Sequence, residues 1–231
     1  LLVRTTVTND STYEGAETFQ LKAATNGGLA SYGTATIYDD GTGNIYPNNP
    51  TGNPDPNAIK DDDRSVKVNN IEVNEASPYA VFTIGGAAGQ NVSLALQNDS
   101  DPATANATLG TDAGTALEYF NGSAWVAYTG AAVAIAANGE LLVRNTVTND
   151  STYEGAETFQ LKVSPSGGSA AVGTATIVDD GSGNIYPNNN TGNPDPVAPK
   201  DDDRGVAVNS IEVNEASPFA VFTVSGSAGT R

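Results

Sequence analysis

The 231 residues contain no cysteine, no histidine and no methionine, and a single tryptophan. The missing cysteine removes disulfides, thiolate nucleophiles and thiolate-bound metals together. The missing histidine removes the commonest general base and the commonest transition-metal ligand. Without a methionine, Leu1 is no translational start, so the sequence reads as a segment of a longer chain. Positive charge is scarce as well: Lys and Arg number 10 against 27 Asp and Glu, a formal net charge of −17. That balance speaks against nucleic acid and anionic membrane as partners and for divalent cations, although an acidic surface also serves solubility. No stretch of about 18 apolar residues is present to cross a membrane. Packing and oxygen-ligated metal are what remain to stabilise such a chain.

What is present is a repeat. The stretch NDSTYEGAETFQLK, Asn9 to Lys22, returns at Asn149 to Lys162, and GTATI from Gly33 returns from Gly173, both at an offset of 140 residues. Roughly three-quarters of positions 1–90 recur at that offset, the pattern of an array rather than of a single active site. Composition shifts divide the chain into the closing half of a unit (1–40), a linker (41–64), a complete unit (65–180), a second linker (181–204) and the opening strands of a further unit (205–231). The complete unit is long enough to bury its own core.

Within the units, apolar residues alternate with polar ones at the period of a strand. LLVRTTVTND opens both copies with one substitution and predicts a strand. Phe19 and Leu21 then face inward, and Thr34 to Ile37 form a closing strand that ends at Asp39-Asp40. In the complete unit Val66, Val68, Ile71 and Val73 alternate up to the break at VNEASP. Ala80, Phe82 and Ile84 supply the next inward face, followed by Val92, Leu94 and Leu96. Residues 98–112 read as a long polar connection. LEYFNGSAWVAY predicts a hairpin turning at Asn121-Gly122, a pair suited to the positive φ of a type I′ turn, and Val133 and Ile135 add a short strand. About seven short strands, frequent turn signals and no helical pattern predict an all-β, antiparallel sandwich.

The linker GTGNIYPNNPTGNPDPNAIKDDDR places Pro47, Pro50, Pro54 and Pro56 among Asn and Gly, which excludes a helix or central strand. Fully extended, it would reach on the order of 75 Å. Ile45, Tyr46 and Ile59 are apolar anchors that a solvated spacer does not need, so the expectation is a linker docked on its neighbours.

Taken together, VNEASPYAVFTI, the Gly110-Thr111-Asp112 turn, NDSTYEGAETFQLK and GTATIVDD resemble, in order, the landmarks of the Calx-β domain as it occurs in tandem in large bacterial surface adhesins. The resemblance spans essentially all of 65–180. It implies tandem immunoglobulin-like sandwiches with Ca²⁺ bound by acidic residues at one pole. By position these are Glu75, Asp112, Glu154, Asp179 and Asp180, with Glu14, Asp39, Asp40 and Glu215 in the partial units. The sequence departs from the family in the Asn121-Gly122 hairpin and in the long Pro/Asn linker.

The residues point the same way without the family. Ca²⁺ takes 6 to 8 oxygen ligands, and Glu75, Asp150, Glu154, Asp179 and Asp180 all lie at strand ends and turns that a sandwich can gather at one end. The triplet Asp61-Asp62-Asp63 repels itself unless a cation or Arg64 offsets it, and reads equally as a solvated charge run. A carboxylate pair such as Glu154 and Glu157 is the best case for catalysis, but no nucleophile motif completes a site, and the expectation is no enzyme. Trp125 with Tyr119 and Tyr128 suits either core packing or a sugar platform. The expected function is a Ca²⁺-rigidified structural repeat of an extracellular bacterial stalk, fibre or matrix protein, its partners being neighbouring repeats of the same chain. A glycan- or surface-binding module and a homopolymer completed by strand exchange are the alternatives.

Overall fold

The computed structural model describes residues 1–230, and every regular element among them is a strand. A two-stranded hairpin comes first, β1 (Glu17–Ala24) and β2 (Ala30–Ile37). The central unit follows with β3 (Lys67–Val68), β4 (Ile71–Asn74), β5 (Tyr79–Gly85), β6 (Asn91–Asn98), β7 (Ala105–Asn106), β8 (Ala113–Phe120), β9 (Trp125–Ala127), β10 (Val133–Ala134), β11 (Glu140–Val147), β12 (Glu157–Pro165) and β13 (Ala171–Val178). A last short pair, β14 (Val206–Val208) and β15 (Val224–Gly226), closes the described chain.

The central unit is an all-β sandwich. One sheet runs β10-β6-β12-β13-β4 with β7 beside β12, and the other runs β3-β5-β11-β8-β9. Pairing is antiparallel except where β4 joins β13 and β7 joins β12. The two-residue alternation seen in the sequence aims one face of each sheet at the other: Ala80, Phe82 and Ile84 meet Val92, Phe159 and Leu161, all of them fully buried. Phe82 and Phe159 cross edge to face at 6.0 Å and 78°, a geometry worth about 0.5–1.5 kcal/mol beyond the area buried.

The run Val66 to Val73, one alternating pattern in the sequence, serves both sheets, because the chain changes sheet at Asn69-Asn70. Asn69 Oδ1 accepts the N–H of Thr83 in one sheet, and Asn70 Oδ1 accepts that of Thr174 in the other.

Repeated sequence takes repeated structure only where its neighbours are repeated too. The β1–β2 hairpin keeps the register of β12–β13, Glu17 facing Ile37 as Glu157 faces Ile177. Yet Phe19 and Leu21 are 39% and 51% exposed, whereas Phe159 and Leu161 are fully buried, because no second sheet lies over the first copy. Likewise 1–10 forms no strand, although 141–147 lies within β11 between β5 and β8. A strand with no partner cannot satisfy its backbone groups.

The Asn-Gly hairpin differs from expectation. Phe120 pairs with Trp125, leaving a longer loop closed by Asn121 N–H to Ala124 O at 3.0 Å. Asn121 keeps a negative φ and instead caps the loop, its Oδ1 accepting the N–H groups of Ser123 and Ala124. The type I′ turn is ruled out by that φ.

The linkers are docked and folded back. In the second, Ile185 and Tyr186 are buried, Asn184 bridges to Val73 and Tyr186 to Tyr79. Trp125 donates its indole N–H to Asn189 O at 2.7 Å, and Arg144 donates to Asn188 Oδ1 at 2.8 Å. The two ends then meet: Gly181 N–H bonds Asp201 O at 2.8 Å, and Asp203 N–H bonds Asp179 O at 2.9 Å. The extended reach of the linker is therefore not used. The first linker closes the same way, through Gly41 to Asp61 and Asp63 to Asp39. Ile59 is no anchor, being 87% exposed.

Candidate metal centre

The acidic residues converge where β4, β12 and β13 reach the same end of the sandwich. Glu75 follows β4, and its backbone N–H bonds Val178 O at 2.9 Å, which draws it under the end of β13. It is buried, and its Oε1 accepts the N–H of Asp150 at 2.9 Å. Asp179, 3% exposed, directly follows β13 and accepts the N–H groups of Glu154 and Gly155 through Oδ2. Gly155 takes a φ of 82°, which folds the Glu154 turn over that carboxylate.

Three overlapping groups of carboxylates, each with oxygens within 4.8 Å of one another, result: Glu75 with Asp150 and Glu154, Glu75 with Asp201 and Asp203, and Asp112 with Glu154 and Glu157. Glu75, Asp112, Glu154, Glu157 and Asp179 line one cavity of about 10 Å³, the size of a single water or ion. None of the ion pairs of the described chain reaches this pole: Arg64 pairs with Asp62, Arg144 with Glu118 and Arg204 with Asp202.

The electrostatics are those of stacked like charges. Burial, with the charges of Asp150, Asp203 and Asp179, pushes the Glu75 carboxyl up to about 7. Burial, with Asp112 and Glu154, does the same to Glu157. Glu154 and Asp203 are also raised, again first by burial. The Oδ1 of Asp179 is buried with no hydrogen-bond partner, and so is the Oδ2 of Asp203. Buried oxygens of this kind carry a desolvation penalty that a cation removes. Hard oxygen donors, no nitrogen or sulfur, and several carboxylates around a small cavity suit Ca²⁺. The donor set therefore fits the metal expected from the sequence.

No protein-family model matches the chain, and no curated protein does. Among solved structures, the crystal structure of the apo-form Calx CBD1 domain is similar at 16% identity and a TM-score of 0.33, over 50% of this chain and 97% of that one.

Of the residues expected at the site, Glu75, Asp112, Asp150, Glu154 and Asp179 come together. Asp180 does not join them: its Oδ1 accepts the N–H of Ser182 at 3.0 Å and the hydroxyl at 2.5 Å, which holds its carboxyl below the usual range. Asp40 caps Thr42 in the same way. In the first copy Asp39 Oδ2 accepts from Glu14 and Gly15, and its Oδ1 is unpartnered, but Glu14 enters no carboxylate group. Glu215 is exposed and enters none.

Sequence reasoning set Glu157 aside as a face residue or ligand, and left Asp201 and Asp203 within the charge run of a linker. It passed over Asn74 entirely. That side chain, fully buried, donates to Ser182 O at 2.9 Å and Asp201 O at 3.0 Å and accepts the Asp201 N–H at 2.7 Å. Asn74 thereby fastens the end of the linker to the pole. The signal for it was the identical VNEASP in both copies, read only as a strand break.

Proposed function

We propose that the chain is a structural repeat segment of a large extracellular bacterial protein, such as an adhesin stalk, surface fibre or matrix filament, whose sandwiches are rigidified by Ca²⁺ at the acidic pole. The observation that carries this reading is the buried, unpartnered Oδ1 of Asp179 in a cavity walled by Glu75, Glu154 and Glu157. Ca²⁺ bound there neutralises the repulsion that burial intensifies, and it ties the ends of β4 and β13 to the turn before β12. Because only the folded pole presents these oxygens together, binding adds about RT ln(1 + [Ca]/Kd), or ~2.7 kcal/mol at a hundredfold excess. Extracellular modules work with affinities on the order of 10⁻⁴ to 10⁻³ M. The role is mechanical rather than catalytic, and the partners are adjoining repeats.

The glycan-platform alternative has no supporting observation. Trp125 packs on Phe120 and on the Arg144 guanidinium, and its N–H is engaged by Asn189.

Thermal unfolding of the chain in EDTA and in millimolar CaCl₂ tests the reading. The expected result is a rise of several degrees that Asp179→Asn and Glu157→Gln each reduce. An unchanged melting temperature, with no heat of Ca²⁺ binding, would overturn it.

A further inference from the structure

The linkers carry one feature that the sandwich pole alone does not explain. Each ends in Asp-Asp-Asp-Arg, and in both copies the middle aspartate is tied to the arginine: Asp62 to Arg64 at 2.6 Å, Asp202 to Arg204 at 2.8 Å. Each arginine also donates to the carbonyl of the aspartate that ends the preceding sandwich strand, Arg64 to Asp40 O at 2.8 Å and Arg204 to Asp180 O at 2.6 Å. In extended chain, flanking residues point opposite to the middle one. The outer aspartates accordingly face the acidic pole. Asp201 and Asp203 bring oxygens within 4.8 Å of those of Glu75.

The unpartnered oxygens fall on the same pair of positions in both copies. In the second they are Asp179 Oδ1 and Asp203 Oδ2, and in the first Asp39 Oδ1 and Asp63 Oδ1. Asp179 and Asp63 are 3% and 7% exposed, so neither relies on solvent. Asp63 is further pressed by the charges of Asp61, Asp39 and Asp10, the counterparts of Asp201, Asp179 and Asp150.

We infer that Asp201 and Asp203 complete a divalent-cation site with Glu75 and Asp179, and that Asp61 and Asp63 do so with Asp39 in the preceding copy. The ion thereby fastens the far end of the linker to the sandwich that the linker leaves. This rests on the calcium reading above and extends it from the sandwich to the joint between units.

The first copy shows what the fastened end carries. Asp62 N–H bonds Ser166 O at 2.5 Å, Ser166 Oγ donates to Lys60 O at 3.0 Å, and Gln90 donates to the Arg64 carbonyl. The triplet sits so close to the 166–168 turn that a Cβ on Gly168 would lie 3.1 Å from Asp63 Cα, and one on Gly167 would overlap the Asp61 carboxylate. The aspartate triplet is thus the seam between consecutive units: one side meets the pole behind it, the other the sandwich ahead. An ion at Asp39, Asp61 and Asp63 fixes the angle between neighbours, not merely the stability of each.

The test uses the whole chain, CaCl₂ as the probe, and two isosteric double variants, D201N/D203N and D61N/D63N. Titration calorimetry is paired with hydrogen exchange of peptides covering 58–64 and 198–204. In the unaltered chain Ca²⁺ is expected to slow exchange in both segments at least tenfold. Each double variant is expected to lose that protection in its own segment and to bind about one Ca²⁺ fewer, or to bind tenfold more weakly, while the other segment still responds. Calcium binding that is unchanged in both variants, with 58–64 and 198–204 exchanging at the same rate with and without the ion, overturns the inference but leaves the pole reading standing. No calcium binding by the unaltered chain overturns both.

Discussion

The guanidinium of Arg144 lies 3.7 Å from the ring centre of Tyr79, in a slot whose other wall is Trp125 at 4.3 Å. Its Nε donates to Glu118 at 2.6 Å and its Nη1 to Asn188, so one buried cation joins β5, β8, β9 and the second linker. A planar, weakly hydrated fork suits that slot and an ammonium does not. Arg144→Lys is expected to lower stability by about 1–3 kcal/mol and Arg144→Ala by about 3–5 kcal/mol, since the latter strands Glu118 and opens the slot. Urea unfolding followed by Trp125 emission would show both, and a lysine variant as stable as the parent would count against the slot.

Asn74 faces carbonyl oxygens with its amide and an N–H with its carbonyl, so its two ends are not interchangeable. Asn74→Asp puts a charge against those carbonyls beside Glu75 and is expected to cost more than Asn74→Ala, itself about 1–3 kcal/mol. Both should release the 198–204 segment first, visible as faster hydrogen exchange there than in β12. Equal exchange in the two regions would contradict the staple.

Gly183 has a φ of 74°, and a Cβ on it would sit 2.5 Å from the backbone nitrogen of Asn74. Backbone cannot yield as a side chain does. Gly183→Ala is expected to cost about 2 kcal/mol or more by lifting the linker from β4, whereas Gly122→Ala, at a loop with open space around it, should cost about 1 kcal/mol. Comparable losses in the two variants would remove the argument from close approach.

Glu75 and Glu157 are raised from an ordinary 4.5 to about 7. The folded chain therefore holds protons that the unfolded chain has released across that window, and metal-free stability falls as pH rises from 4.5 through 7. The depressed carboxyls, Asp40, Asp150 and Asp180, titrate below 3.8 and leave this window untouched. In EDTA the melting temperature at pH 5 should exceed that at pH 8. Millimolar Ca²⁺ should abolish or reverse the difference, because the ion competes with those protons. A metal-free melting temperature that climbs from pH 5 to pH 8 would refute the sign.

Much of the sandwich was legible because burial imposes a period. Phe82, Ile84, Phe159 and Leu161 face inward wherever a second sheet covers them, and alternation alone names them. Glu75, Asp150, Glu154 and Asp179 were legible as carboxylates at strand ends. Asn74 was not, since an asparagine that bonds carbonyls 104 to 127 residues away leaves no local pattern.

By itself the sequence determined the repeat, the strand period, the absence of nitrogen and sulfur ligands, and the excess of negative charge that needs a cation. Tertiary structure alone decided which copy of a sequence becomes a strand: Leu141 to Val147 does, between β5 and β8, and Leu1 to Val7 does not. It decided equally which acids meet. Asp180, next to Asp179, turns to Ser182, while Asp203, at the far end of a proline-rich loop, returns to the pole. The physical reason is the same in both cases. Hydrogen-bond partners and charge neighbours come from segments that the chain brings together only on folding, and neither strand pairing nor a metal site is complete without them.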